Sequence, residues 1–245
     1  MDDRIALGRE FLKGGDWDQW ANTATDQRKK LPMPDQQKDA GGLTPIDLPD
    51  PALFDGGTRP LAEALRQRRS YRGASSKPIP LEALSFMLWA TQGVSGNNAM
   101  RRTAPSAGAR HPFETYLYVR AVTGLTEGMY RYLPLSHQLV ALPTPAECDR
   151  LLAQAACNQP FVSGGAVTFI WTAIPYRTEW RYATLSHKVI AIDAGHVCQN
   201  LYLAATAADC GACAIGAYNQ QEMDQLIGVD GQDEFVVYLA SCCPM

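Results

Sequence analysis

Apolar and polar residues alternate from Phe113 to Ala121, with many aromatic and β-branched side chains, and this pattern predicts a strand. Similar stretches predict strands at Met129 to Leu133, His137 to Ala141, Ala166 to Ala173 and Phe235 to Ala240, with Gly124 to Gly128 as a hairpin turn. Helical spacing of Leu81, Leu84, Met87 and Leu88 behind Pro80 predicts a helix that closes at Gly93. Thr58 is expected to cap a helix with Pro60 in its first turn and Leu61 and Leu65 facing inward. Thr144, Pro145 and Glu147 read as the cap, first position and capping box of a helix to Ala155. Residues 1 to 13 and a stretch around Glu222 to Leu226 read as further short helices, and Cys210 to Tyr218 as a turn of small residues.

From Lys188 to Ala208 nearly every helical face is apolar, interrupted by Asp193, Gly195, His196, Gln199 and Asn200. Those interruptions argue against a membrane span, so the helix is expected to be buried, in a subunit interface. His196 is read as a satisfied interior histidine rather than a catalyst. Before residue 58, prolines at 32, 34, 45, 49 and 51 suggest an extended arm, set apart from a domain at 59–245.

Composition narrows the function. The chain has 245 residues, 46% of them hydrophobic, enough for a sizeable single core. A formal charge of −3 points to neither nucleic acid nor an anionic membrane as partner, and a small ligand is expected. The last basic residue is Lys188, so any phosphate must be held by earlier residues. Seven cysteines in a chain of this size read as reduced thiols, and the N-terminus lacks a signal-peptide pattern, which predicts a cytoplasmic protein.

Two stretches carry candidate chemistry. Arg102 to Pro112 is a loop of small residues bracketed by prolines, with Arg102, Arg110, His111 and the Ser106 hydroxyl suited to a flat anionic cofactor; an ordinary turn before a strand accounts for the same residues. Arg66 to Arg72 packs four arginines around Ser70 and Tyr71, either a solvated helix end or a phosphate cradle.

With Asp193-Ala194-Gly195-His196, Gln199-Asn200-Leu201 and Ile215-Gly216-Ala217-Tyr218 following in order, the chain resembles the nitroreductase superfamily, in its SagB-like branch of thiazole- and oxazole-forming dehydrogenases. The resemblance, over about residues 59 to 240, implies an α+β fold with a central, mostly antiparallel sheet flanked by helices. It also implies an intertwined homodimer with FMN at the interface. It assigns Arg68, Ser70 and Arg69 to the phosphate and ribityl chain, Arg72 to the pyrimidine edge, and Pro105, Ser106, Ala107 and Gly108 to a loop reaching the partner's flavin. Ile215 would pack beside the ring, and the Gly216 N–H would face its reactive nitrogen.

Such an enzyme would take hydride from NAD(P)H and pass it to a small acceptor in ping-pong order. Two departures stand out. Relatives place a cation after the last strand, where this chain reads Ala240 to Met245. Azoline dehydrogenases of the branch carry a Lys-Tyr pair where this chain has Arg181-Tyr182, and arginine does not give up its proton, which argues against peptide dehydrogenation and leaves Tyr182 as the remaining candidate. The alternatives are a flavin-binding accessory protein and a thiol or metal protein built on Cys210 and Cys213.

Overall fold

The computed structural model describes residues 2–75 and 77–245. Two strands, Phe113–Val119 (β2) and Val167–Ala173 (β5), are buried at every position, because both faces of the sheet are covered. They pair antiparallel in the middle of a seven-stranded sheet of order β1-β4-β3-β2-β5-β7-β6. The others are Pro45–Asp47 (β1), Gly128–Leu133 (β3), Gln138–Leu142 (β4), Cys210–Ile215 (β6) and Phe235–Pro244 (β7), and every pairing is antiparallel. With its flanking helices this is the expected α+β fold.

One face is covered by Leu81–Gln92 (α4) and the 22-residue Ser186–Ala207 (α8), around a core that includes Leu84, Met87, Leu88, Phe169, Trp171, Val197 and Leu201. Cys148–Ala155 (α5), Pro160–Gly164 (α6) and Gln220–Ile227 (α9) cover the other, with Leu152, Ile170, Met223 and Leu239 at its centre. Asp3–Leu12 (α1), Trp17–Trp20 (α2) and Leu61–Gln67 (α3) precede α4, and Tyr176–Tyr182 (α7) precedes α8. The proline-rich arm adds β1 to the sheet edge beside β4, which closes backbone groups that an edge strand leaves open.

The five expected strands form, and four local expectations are corrected. Thr58 does not cap α3: its Oγ1 donates back to the Asp55 carbonyl at 2.8 Å, within a 3₁₀ turn. Leu61 and Leu65 are 63% and 52% exposed; the inward position of this short helix is Ala64, whose size lets α3 lie against α8. The capping box is absent, because Glu147 has φ 54° and α5 starts only at Cys148. Thr144 Oγ1 instead accepts the Met129 N–H at 2.8 Å.

The fourth correction is Cys210–Ile215, a strand and not a turn. Its residues are small because another segment lies against it: Tyr71 N–H donates to the Ala212 carbonyl at 2.8 Å, and Ser70 forms a parallel bridge with Ala212. A Cβ on Gly211 would stand 2.5 Å from Tyr71 Cβ. Gly211→Ala should therefore cost about 1–3 kcal/mol, read as a lower urea midpoint, since the clash is with a side-chain root that cannot swing away; an unchanged midpoint would show that residues 70–72 are not seated on β6.

Candidate active site

Along β6 the backbone alternates. Gly211, Cys213 and Ile215 pair with β7, while the intervening residues turn their polar groups to the free edge. There the Ala212 carbonyl accepts Tyr71 N–H, and the Ala214 N–H donates to Tyr202 Oη at 2.8 Å. Gly216 is next in that period, so its N–H faces outward, with no acceptor among the described residues. A Cβ built on Gly216 meets nothing within 4 Å, whereas Ile215 is buried in the core behind it.

Residues 68–72 run beside this edge. Ser70 Oγ lies 3.1 Å from Tyr202 Oη, and the Arg68 guanidinium stacks 5.4 Å from the centre of the Tyr202 ring. Arg72 lies 5.9 Å from the Phe161 ring and close enough to Cys213 to counter part of the rise that burial imposes on that thiol's pKa. Arg69 caps the carbonyls of Arg66 and Arg68. Among the described residues none of Arg68, Arg69 and Arg72 is paired with a carboxylate, and Arg69, Ser70 and Arg72 are exposed. A cavity of about 540 Å³ opens at Gly216, lined mostly by apolar atoms of α8 and β7, including Ile190, Ala194, Val237 and Tyr238. These features fit a flavin mononucleotide: unpaired cations for its phosphate, an apolar wall for a flat ring, and an outward N–H at a position without a side chain.

The Pro105–Gly108 loop lies elsewhere. Ser106 Oγ donates to Asp193 Oδ2 at 2.6 Å and accepts the His111 N–H at 2.9 Å, while Ala107 N–H reaches the same carboxylate at 3.0 Å. Burial raises the Asp193 pKa, and the bonds from Ser106 and Ala107 oppose that rise. Asp193 and Tyr202 are nine residues apart on α8, about 13 Å along its axis and on opposite sides of it. One chain therefore does not bring the loop to the arginine segment. Pro105 and Gly108 are exposed, and Gly108, with φ 57°, lies against Tyr182: a Cβ there would stand 2.6 Å from Tyr182 Oη. Tyr182 itself is ringed by Trp17 and Trp20, 5.8 and 5.9 Å away, and Trp20 Nε1 donates to the Arg181 carbonyl at 3.4 Å.

Three charged residues behave differently from expectation. Arg102 and Arg110 do not line the Gly216 cavity: both are buried, Arg102 donating to the Gln36 carbonyl at 2.6 Å and Arg110 lying 5.1 Å from the Trp180 ring. Their stems cover core surface while their charges hold the arm and α7. His196 is not interior, because Gly195, His196 and Gln199 lie on the uncovered face of α8; its ring is 44% exposed, 3.9 Å from Asp193. Tyr202, which gathers Ser70, Arg68 and the Ala214 N–H, was not singled out by sequence, although a polar-tipped aromatic on an apolar helix is the available signal. Among the described residues no three His, Cys, Asp or Glu side chains are grouped to hold a metal ion, and no helix is long and apolar enough to cross a membrane.

The Nitroreductase family signature matches residues 65–242, and the chain belongs to that family. It is 36% identical over 189 residues to MJ1384 of Methanocaldococcus jannaschii, which carries a nitroreductase name, covering 77% of this chain and 92% of that one. A crystal structure of a nitroreductase-named protein from Ralstonia eutropha superposes with a TM-score of 0.69 at 27% identity, over 87% of this chain and 94% of its own. The trifolitoxin-processing protein TfxB of Rhizobium leguminosarum is 32% identical over 114 residues, 43% of this chain and 30% of that protein.

Two outcomes follow. Gly216→Ala should leave the unfolding midpoint within about 0.5 kcal/mol of the parent, because the space beside it is open, while lowering flavin affinity; equal affinity would remove Gly216 from the site. His111, whose pKa burial and Arg102 push down to about 4 from 6.5, refuses in the folded state a proton that the unfolded chain accepts below pH 6.5. Its contribution is present above pH 6.5 and lost as pH falls toward 4, about 2–3 kcal/mol between pH 7 and 4.5. Urea titrations should show His111→Gln losing that much less stability over the same interval.

Proposed function

We propose that this chain is an FMN-dependent oxidoreductase that uses NAD(P)H to reduce a small acceptor such as a quinone or nitroarene, working as a cytoplasmic homodimer. The observation that carries the reading is the run of carboxylate-free arginines at 68, 69 and 72 laid along an edge strand that leads to Gly216, which itself borders an apolar cavity. Bound FMN would supply the carrier that accepts hydride from the nicotinamide and passes it on in ping-pong order. Arg68, Arg69 and Ser70 would hold its phosphate and ribityl chain by charge-assisted hydrogen bonds. Arg72 would place fixed positive charge at the pyrimidine edge, where negative charge develops on reduction. The Gly216 N–H would orient the reacting nitrogen, and the missing side chain leaves the approach to it clear.

A homodimer answers the separation of the two clusters. Ala191, Ile192, Gly195 and Gln199 form an uncovered face of α8, and a partner seated there could bring its Pro105–Gly108 loop to this chain's arginine segment. The likeness to TfxB favours a second reading, dehydrogenation of an azoline in a peptide. Arg181 opposes it, because a permanently charged guanidinium takes no proton from the ring carbon; Arg181→Lys should raise any azoline oxidation above that of the parent.

The phosphate assignment has a direct test. Arg68→Ala should weaken FMN binding by about tenfold or more, the loss of one charge-assisted pair, as read by flavin retained after gel filtration and by fluorescence titration. Unchanged affinity would place the phosphate elsewhere.

A further inference from the structure

A second, polar cavity lies beneath the arm, beside the residues that follow β5. A cavity of about 660 Å³ is bounded by arm residues 34–39 and Gly41, by Leu135 and Ile174, by Arg131 of β3 and by Arg177 of α7. Arg131, Arg177 and Gln36 are each more than nine-tenths buried. Arg131 Nε, Arg177 Nη1 and both amide atoms of Gln36 have no hydrogen-bond partner, nor does Arg102 Nε just behind them. Such atoms each cost about 1–3 kcal/mol when sealed from water, so their concentration on one cavity wall calls for a ligand.

The local charge has a sign. Arg177 Nη2 donates to Glu114 Oε1 at 2.5 Å, and Lys38 Nζ to Glu234 Oε2 at 2.6 Å, with Tyr116 Oη between them. Arg102, Arg131, Arg177 and Lys38 thus face two buried carboxylates, and Asp35 and Asp39 at the mouth are exposed and screened by water. Two positive charges remain without a counter-ion. Glu114 Oε2 and Gln36 Oε1, by contrast, lack donors.

We propose that this cavity binds a small oxyanion that also carries a hydroxyl, a hydroxycarboxylate or hydrogen phosphate, with its oxygens on Arg131 and Arg177 and its hydroxyl toward the orphaned acceptors. The Gln36 side chain makes way for it. No hydrogen bond holds that amide in place, so its swing into solvent breaks none and uncovers the guanidinium groups. An occupied site ties arm residues 34–41 to β3 and α7.

The test is calorimetric titration of FMN-saturated protein with glycolate, phosphate and acetate at constant ionic strength, so that the Arg68 segment is already filled. Glycolate or phosphate should bind saturably, and which of them binds tighter identifies the source; acetate, lacking the hydroxyl, should bind several-fold more weakly. Arg131→Gln should weaken binding about tenfold. Gln36→Ala, which removes the side chain that must move, should bind as tightly as the parent or tighter and guards against a misfolded Arg131 variant. Absence of saturable binding, equal binding by Arg131→Gln, or loss of binding in Gln36→Ala would overturn the proposal and leave an adventitious ion or trapped water only.

Discussion

Burial of α8 is the constraint on which the arrangement depends. Its inner face, Ile190, Ala194, Val197, Cys198, Leu201, Ala204 and Ala205, packs against the sheet and α4, so the polar groups on its flanks are held at fixed positions. Each of those groups then fastens a different segment. Asp193 holds Ser106 and Ala107, Asn200 donates to the Ala90 carbonyl at 2.8 Å, Tyr202 takes Ser70 and Ala214, and the Thr206 carbonyl accepts from Arg59. A helix with no polar flank would bury as well but would position nothing.

The second determinant is size along β6. Gly211 and Ala212 let the backbone of residues 70–71 approach within hydrogen-bond distance, which turns a sheet edge into a platform for three arginines. The same edge ends at Gly216, where the backbone donor faces outward. Scaffold and site are thus one interaction: the strand that closes the sheet also presents the cations and the N–H.

Legibility in the sequence follows from what each element depends on. The strands β2, β3, β4, β5 and β7 and the helices α4 and α8 were readable because their hydrophobic period is set by the core they face. β6 was not, because glycine and alanine have little intrinsic preference for strands and this one is fixed by neighbours on both sides, β7 and Tyr71. The arginine segment and Gly216 were legible as motifs, and their meeting along one edge needed the fold. Charge alone misled at Arg102 and Arg110, since sequence shows that a cation is present but not that its stem is buried and its head bonded to the arm. Thr58 and Thr144 misled for a related reason: a hydroxyl that can cap a helix can equally satisfy a nearby turn or strand, and tertiary geometry decides.

The chain belongs to the Nitroreductase family, and the central claim made for it is the proposed flavin-mediated electron transfer. Its most direct measurement is anaerobic: the purified protein is saturated with FMN, freed of excess by gel filtration, and mixed with NADH or NADPH while the visible flavin band is followed. The account predicts stoichiometric bleaching by at least one donor and return of the colour when a quinone or nitroarene is added. A protein-bound flavin that neither nicotinamide bleaches would contradict it and favour a flavin-binding accessory role.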